Sequence, residues 1–205
     1  YVYKRQGTIR VGGTDLRDLT LDSLGRTIAM VLQEPFLFSG TILENIRYNK
    51  REATPEQIVE AARAVGAHDF IMRLPDGYDT HLDQRGSNLS LGQRQLLSFA
   101  RALVADAQIL VLDEATASVD SYTERQIQQA LRRLLAGRTA IVIAHRLATI
   151  RNADRIIVLR DGAIVEEGNH DALIALNGLY ARLYRLNYAS FDDFEPADET
   201  APPAT

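Results

Sequence analysis

The stretch AQILVLDEA, residues 107–115, runs four apolar residues, Ile109–Leu112, into two carboxylates, Asp113 and Glu114. That apolar density reads as a fully buried strand of a parallel sheet. In open α/β sheets, ligands bind beyond the C-terminal ends of the strands, which is where Asp113 and Glu114 stand. One carboxylate there suits Mg²⁺, which takes oxygen ligands and keeps several waters. A second could orient a water for attack on a phosphate. Taken alone, an apolar run closed by Asp-Glu reads equally as a strand running into a turn.

The neighbours of this strand support an α/β reading. SYTERQIQQALRRLLAG (121–137) has the pattern of an amphipathic helix, with Ser121 and Glu124 as a capping box and Ile127, Leu131, Leu134 and Leu135 on one face. RTAIVIAH (138–145) reads as another buried strand, and DRIIVLRDGAIVEEG (154–168) as a hairpin around an Asp-Gly turn. Residues 107–160 thus run strand, helix, strand, short helix, strand, which predicts an α/β fold with a mainly parallel sheet. Upstream, GTIRVGG (7–13) reads as a strand and turn, and TIAMVLQEP (27–35) as a buried strand stopped by Pro35. TPEQIVEAARAVGA (54–67) starts as a capped helix with Thr54 at the cap, Pro55 in the first turn and Gln57 three residues on.

Composition narrows the function classes. The chain has 205 residues, 46% apolar, enough for a sizeable core. Its net charge is −4 with scattered basic residues, which argues against a nucleic-acid surface. The absence of cysteine excludes disulfides and thiolate metal sites, and cytosol-facing is the default compartment. No apolar run approaches the ~18–20 residues that span a bilayer, and no signal-peptide pattern opens the sequence. The sequence begins at Tyr1 and carries only two lysines, Lys4 and Lys50.

NLSLGQRQLLSFARAL (88–103) opens polar and becomes helical. Ser90 and Gln93 have the S-x-x-Q spacing of a capping box, so Ser90 is the expected N-cap. Such a helix start carries unsatisfied N–H groups and the positive dipole end, which suits an anion. Gly92 would let the backbone approach a bulky ligand closely. By itself the stretch is also an ordinary capped helix.

Taken together, these stretches resemble a known family. LSLGQRQ, followed fourteen residues after Gln95 by ILVLDEATASVD, is similar to the signature motif and Walker B region of ATP-binding cassette (ABC) ATPases. Gln33, at the end of a strand in VLQEPFLFSGTILENI, resembles the Q-loop glutamine. SVD (118–120) resembles the D-loop, and His145 in IVIAHRL the switch histidine. The similarity covers roughly residues 5–187. It implies a P-loop NTPase-like core with a helical signature subdomain, binding ATP and Mg²⁺. On this resemblance, residues 1–40 belong to the core up to the Q-loop, 41–104 to the helical subdomain and 105–188 to the rest of the core. Residues 189–205, acidic and Pro-rich, are expected to form a disordered tail.

The resemblance also implies roles. Asp113 would hold Mg²⁺ through water, and Glu114 would act on the attacking water. His145 would contact the γ-phosphate. Gln33 would reach Mg²⁺ and the water, and report nucleotide state to a neighbouring domain. Asp120 would lie across a dimer contact. Ser90, Gly92 and Gln93 would bind the γ-phosphate of an ATP held by a second, head-to-tail cassette. The family's commonest signature has glycine at the third position, where Leu91 stands here.

No G-x-x-x-x-G-K-[ST] P-loop occurs in the sequence. The family order places it upstream of Tyr1, so the 205 residues alone are expected to show little ATPase activity and to leave a sheet edge or an apolar face exposed. Phe36, Leu37 and Phe38 form an expected apolar patch after the Q-loop, and THLDQRG (80–86) occupies the place of the loop that precedes the signature in exporters. These phrases imply a transport-coupled ATPase on the cytoplasmic face of a membrane, contacting a transmembrane domain through the Q-loop region. The alternatives are a binding module that only donates its signature face to a partner, or a soluble ABC ATPase.

Overall fold

The computed structural model describes residues 7–48, 50–113, 121–144 and 147–192. The chain divides into two compact units, Tyr1–Ile143 and Ala144–Thr205.

The first unit opens with a small hairpin, β1 (Arg10–Val11) and β2 (Thr14–Asp15), followed by α1 (Leu21–Thr27) and β3 (Ile28–Val31). Next come β4 (Gly40–Thr41), α2 (Ile42–Arg47), α3 (Pro55–Ala64), α4 (His68–Ile71) and β5 (His81–Leu82). Then follow α5 (Leu91–Ala105), β6 (Ile109–Asp113), α6 (Ser121–Leu135) and β7 (Thr139–Ile143). Strands β3, β6 and β7 form a parallel sheet with β6 in the middle. This is the α/β architecture the pattern of residues 107–160 predicts, except that the last strand of that pattern, Ile156–Arg160, lies outside the sheet and pairs antiparallel with Ala163–Gly168. The α-helices between β4 and β6 are α2, α3, α4 and α5.

Local signals hold where they depend on residues close in sequence. Thr54 caps α3 and forms a full capping box with Gln57, with Pro55 in the first turn. The expected apolar face of that helix, Ile58, Ala61, Ala62 and Val65, is buried. On α6, Ile127, Leu131 and Leu134 are buried, and Leu135 packs at the margin of the core. This helix already includes Ser121, one residue earlier than a Ser121 cap implies.

The sheet departs from the strand-by-strand reading but meets the expectation of an exposed apolar face. Strands β3, β6 and β7 read as fully buried, yet only one face is covered. Ala29, Val31, Leu110 and Leu112 point into a core shared with α5 and α6. On the opposite face, Met30 pairs across Val111 with Ile141, and Met30 and Ile141 are 63% and 61% exposed. β7 is mostly exposed, with Ile143 on the same open face. Parallel sheets carry near-continuous apolar runs because layers normally cover both faces. Among the described residues the second layer is lacking, so the alternate residues of each strand remain in water.

The second unit holds α7 (Leu147–Arg151), β8 (Ile156–Arg160), β9 (Ala163–Gly168), α8 (His170–Leu176) and α9 (Leu179–Asp192). β8 and β9 form the expected hairpin, with Asp161 and Gly162 at φ 53° and 79°. Positive φ at both central positions is what a type I′ turn requires, and Asp-Gly supplies it. Val158, Leu173, Tyr180 and Tyr184 make a small core. The Glu166 carboxylate accepts the backbone N–H groups of Leu179 and Tyr180 at the start of α9. That helix runs to Asp192, four residues into the segment expected to be disordered; residues 193–205 lie outside the described residues. No helix among the described residues is long and apolar enough to cross a membrane.

Candidate nucleotide-facing site

The start of α5 is built as the spacing predicts. Ser90 is extended (φ −65°, ψ 159°), and its Oγ accepts the N–H of Gln93 at 3.2 Å. In return, Gln93 Oε1 accepts the N–H of Ser90 at 2.9 Å. The box uses acceptor atoms only: the hydroxyl proton of Ser90 and the amide NH₂ of Gln93 take no part in it. Ser90 is exposed and Gln93 half-buried. Donor atoms therefore remain over from the cap, beside the positive end of a 15-residue helix. That chemistry fits an anionic phosphate.

Gly92 also has a packing reason that its sequence does not show. It is buried, and a Cβ placed on it would lie 2.3 Å from Cγ2 of Thr123 on α6. The close approach it permits is between α5 and α6; its backbone N–H still belongs to the first helical turn. Gly92→Val is expected to destabilise the fold by about 1–3 kcal/mol through overpacking, measurable by urea unfolding. An unchanged unfolding midpoint would contradict this packing role.

The segment after Gln33 is attached to the helical region at three places. β4 pairs antiparallel with β5, so Gly40 and Thr41 lie opposite Leu82 and His81 of THLDQRG. Leu37 is fully buried, with Gly86 against it, where a Cβ would meet Leu37 Cδ1 at 2.8 Å. Leu37 is therefore core, whereas Phe36 and Phe38 remain 47% and 37% exposed, so the expected patch of three is corrected to its two alternate members. The middle side chain is directed into the core and its two neighbours toward solvent. Tyr48 completes the surface, stacked on Phe38 with ring centroids 4.4 Å apart.

The third attachment went unread in the sequence. Asn45 on α2 is buried, with Oδ1 accepting the N–H of Phe38 at 2.8 Å and Nδ2 donating to the carbonyls of Phe38 and Thr41. Arg101 on α5 donates to the Asn45 carbonyl, the Phe36 carbonyl and Asn45 Oδ1 at 2.8, 2.9 and 3.0 Å. Burial draws the Arg101 guanidinium down to about 10, so it stays charged at neutral pH. Its partners lie 56 and 65 positions away, beyond the reach of periodicity.

At the sheet edge, Asp113 ends β6 half-buried and opposite Ile143 of β7. Gln33 is exposed, two residues beyond Val31, whose partner is Leu112. Parallel register thus puts Gln33, two residues past the end of β3, and Asp113, at the end of β6, at the same C-terminal edge of the sheet. Among the described residues no group of three or more His, Asp or Glu comes together that could hold a metal. A lone carboxylate fits Mg²⁺, which usually binds through one or two carboxylates plus substrate phosphates. Glu114, Asp120 and His145 lie outside the described residues.

Comparison with known proteins settles what kind of chain carries these features. The pattern of the ABC transporter family matches residues 2–117. This chain belongs to the ABC transporter ATP-binding family. It is 57% identical over 184 residues to an uncharacterized ABC transporter ATP-binding protein, YknV, of Bacillus subtilis, covering 90% of this chain and 30% of that protein. It is 52% identical over 182 residues to an ATP-dependent lipid A-core flippase of Syntrophus aciditrophicus, covering 89% and 30%. With ABC transporter B family member 2 of Dictyostelium discoideum it shares 49% identity over 178 residues, covering 87% and 13%. The chain thus spans 30% of the first two relatives' length. Within the ABC family, the α/β core with its parallel sheet and the capped α5 match the resemblance read from LSLGQRQ and ILVLDEATASVD.

Proposed function

We propose that this chain is the ATP-hydrolysing part of an ABC exporter, working against a second cassette and coupled to a transmembrane domain at the cytoplasmic face of a membrane. The observation that carries this reading is the Ser90–Gln93 box, which satisfies the helix start internally and leaves hydrogen-bond donors over for a phosphate. When bound, Mg²⁺ neutralises charge on the β- and γ-phosphates.

This chain's residues would do the rest. Asp113 holds the metal's water shell from the end of β6. Glu114, next in sequence, takes a proton from the attacking water, and Gln33 orients that water from the segment just after the adjoining strand. His145 donates to the γ-phosphate as charge develops on it. Ser90, Gly92 and Gln93 hold the γ-phosphate of a nucleotide bound to the partner cassette, and Asp120 stands at the contact between the two. The nucleotide then joins the two cassettes, and its hydrolysis lets them part. Phe36, Phe38 and Tyr48 offer the exposed surface that the transmembrane domain would engage. The relatives' names, which include a flippase and a B-family transporter, support transport over a soluble role.

The test compares two polypeptides. Full-length protein is expected to hydrolyse Mg-ATP, and the 205 residues alone to show little turnover, because their sequence carries no P-loop. Substantial Mg-ATP hydrolysis by the 205 residues would overturn this assignment of parts.

A further inference from the structure

Arg101 joins two regions to which the proposed function gives separate tasks. It lies on α5, eleven residues after Ser90, or about 16 Å along the helix at 1.5 Å per residue. Its three hydrogen bonds go to Phe36 and Asn45, and Asn45 in turn holds both the N–H and the carbonyl of Phe38. The guanidinium carbon also lies 5.6 Å and 5.4 Å from the ring centroids of Phe38 and Tyr48. The exposed aromatic surface therefore rests on Arg101 from behind.

The kind of partner matters. Among the described residues no carboxylate pairs with Arg101; its partners are two backbone carbonyls, one amide oxygen and two rings. Contacts to backbone carbonyls register where the backbone is, so a shift of the Phe36 peptide is felt directly by the guanidinium. Arginine's planar fork reaches several acceptors at once, which the point charge of lysine cannot do. The paired β4 and β5 and the Leu37–Gly86 contact keep the same segment from sliding off α5.

We propose that Arg101 is a positioning residue, a strut that carries displacement of the Phe36–Phe38–Tyr48 surface to the nucleotide-facing start of α5. The proposal rests on the reading of this chain as a transport-coupled ATPase. In that reading the aromatic surface is where the transmembrane domain pushes. Ser90 and Gln93 are where the push is delivered, since a helix of this length moves as one piece. Asn45 completes the strut by holding the loop in the shape that Arg101 grips.

The test is a double-mutant cycle in full-length protein reconstituted into phosphatidylcholine vesicles, read by ATPase kcat, fluorescent-ATP affinity and Tm. Arg101→Lys keeps the charge and removes the fork; Phe36→Ala trims an exposed ring and leaves its carbonyl in place. Each variant is expected to lower kcat about tenfold with ATP affinity unchanged, and the pair to be no worse than either alone. The conservative Lys variant keeps Tm close to the parent, which separates the strut from a loss of folding. Effects that multiply to about a hundredfold would overturn the strut, as would a fall in kcat that merely follows a fall in ATP affinity and Tm. Failure of the unmutated full-length protein to hydrolyse ATP would instead overturn the ATPase reading.

Discussion

Glu114→Gln in the full-length protein is expected to lower ATP hydrolysis by about 10²–10⁴-fold, the range contributed by a positioned general base. Glutamine has the size of glutamate and can still hydrogen-bond a water, but it cannot take the water's proton. Nucleotide binding draws on other groups, so ATP affinity should stay near the parental value. The uncleaved nucleotide then keeps the two cassettes joined. An ATP-bound dimer should accumulate, visible as ATP rather than ADP retained after gel filtration. Hydrolysis by this variant at the parental rate would mean that Glu114 is not the group acting on water.

Ser90→Asp separates two roles that share one side chain. Aspartate ranks with serine as an N-cap and is favoured by the helix dipole. The fold should therefore keep its stability, with the carboxylate accepting the Gln93 N–H as the Ser90 hydroxyl does now. The replacement removes a donor and adds a negative charge where the γ-phosphate of the partner's ATP would lie. Loss of one such donor alone typically costs about 10²–10³ in rate, and repulsion adds to it. Ser90→Ala should behave differently, losing about 0.5–2 kcal/mol of cap stability as well as the donor. A Ser90→Asp protein of parental activity would show that α5 is no more than a well-capped helix.

What could be read in the sequence follows from the range of the interactions. The boxes at Thr54–Gln57 and Ser90–Gln93 span three residues, and the Asp161–Gly162 turn needs only two. Their chemistry is complete within one short window. The parallel sheet was legible because the apolar density of ILVL is hard to place elsewhere. The strand patterns themselves do not show the exposure of its second face, because they record what a chain expects to be covered by, and the covering layer is a separate matter. Met30 and Ile141 read as buried for that reason.

The site shows the same division. Gly92 read as a ligand-facing glycine, and its packing reason, Thr123, lies 31 positions downstream on another helix. Phe36, Leu37 and Phe38 read as one patch until the backbone sent Leu37 inward. Arg101 belongs to no motif in the sequence, although an arginine flanked by Ala100 and Ala102 raises the question of what it holds. The family resemblance supplied what no local pattern could, the expectation that Asp113, Glu114, Gln33 and His145 serve one reaction and that Asp120 stands at a dimer contact.

A nucleotide held by one subunit and met by the start of α5 of another requires Ser90 and Glu114 to act from different chains, which mixed dimers can reveal. Full-length protein carrying Ser90→Asp and full-length protein carrying Glu114→Gln are each expected to be inactive. Co-assembled into mixed dimers, they bring an intact Glu114 from one chain together with an intact Ser90 from the other. Single-turnover ATP hydrolysis should return in the mixture, and a chain carrying both substitutions should restore none when mixed with either single variant. Absence of any recovery in verified mixed dimers of the two single variants would contradict it, because Ser90 and Glu114 would then be serving the same chain's nucleotide.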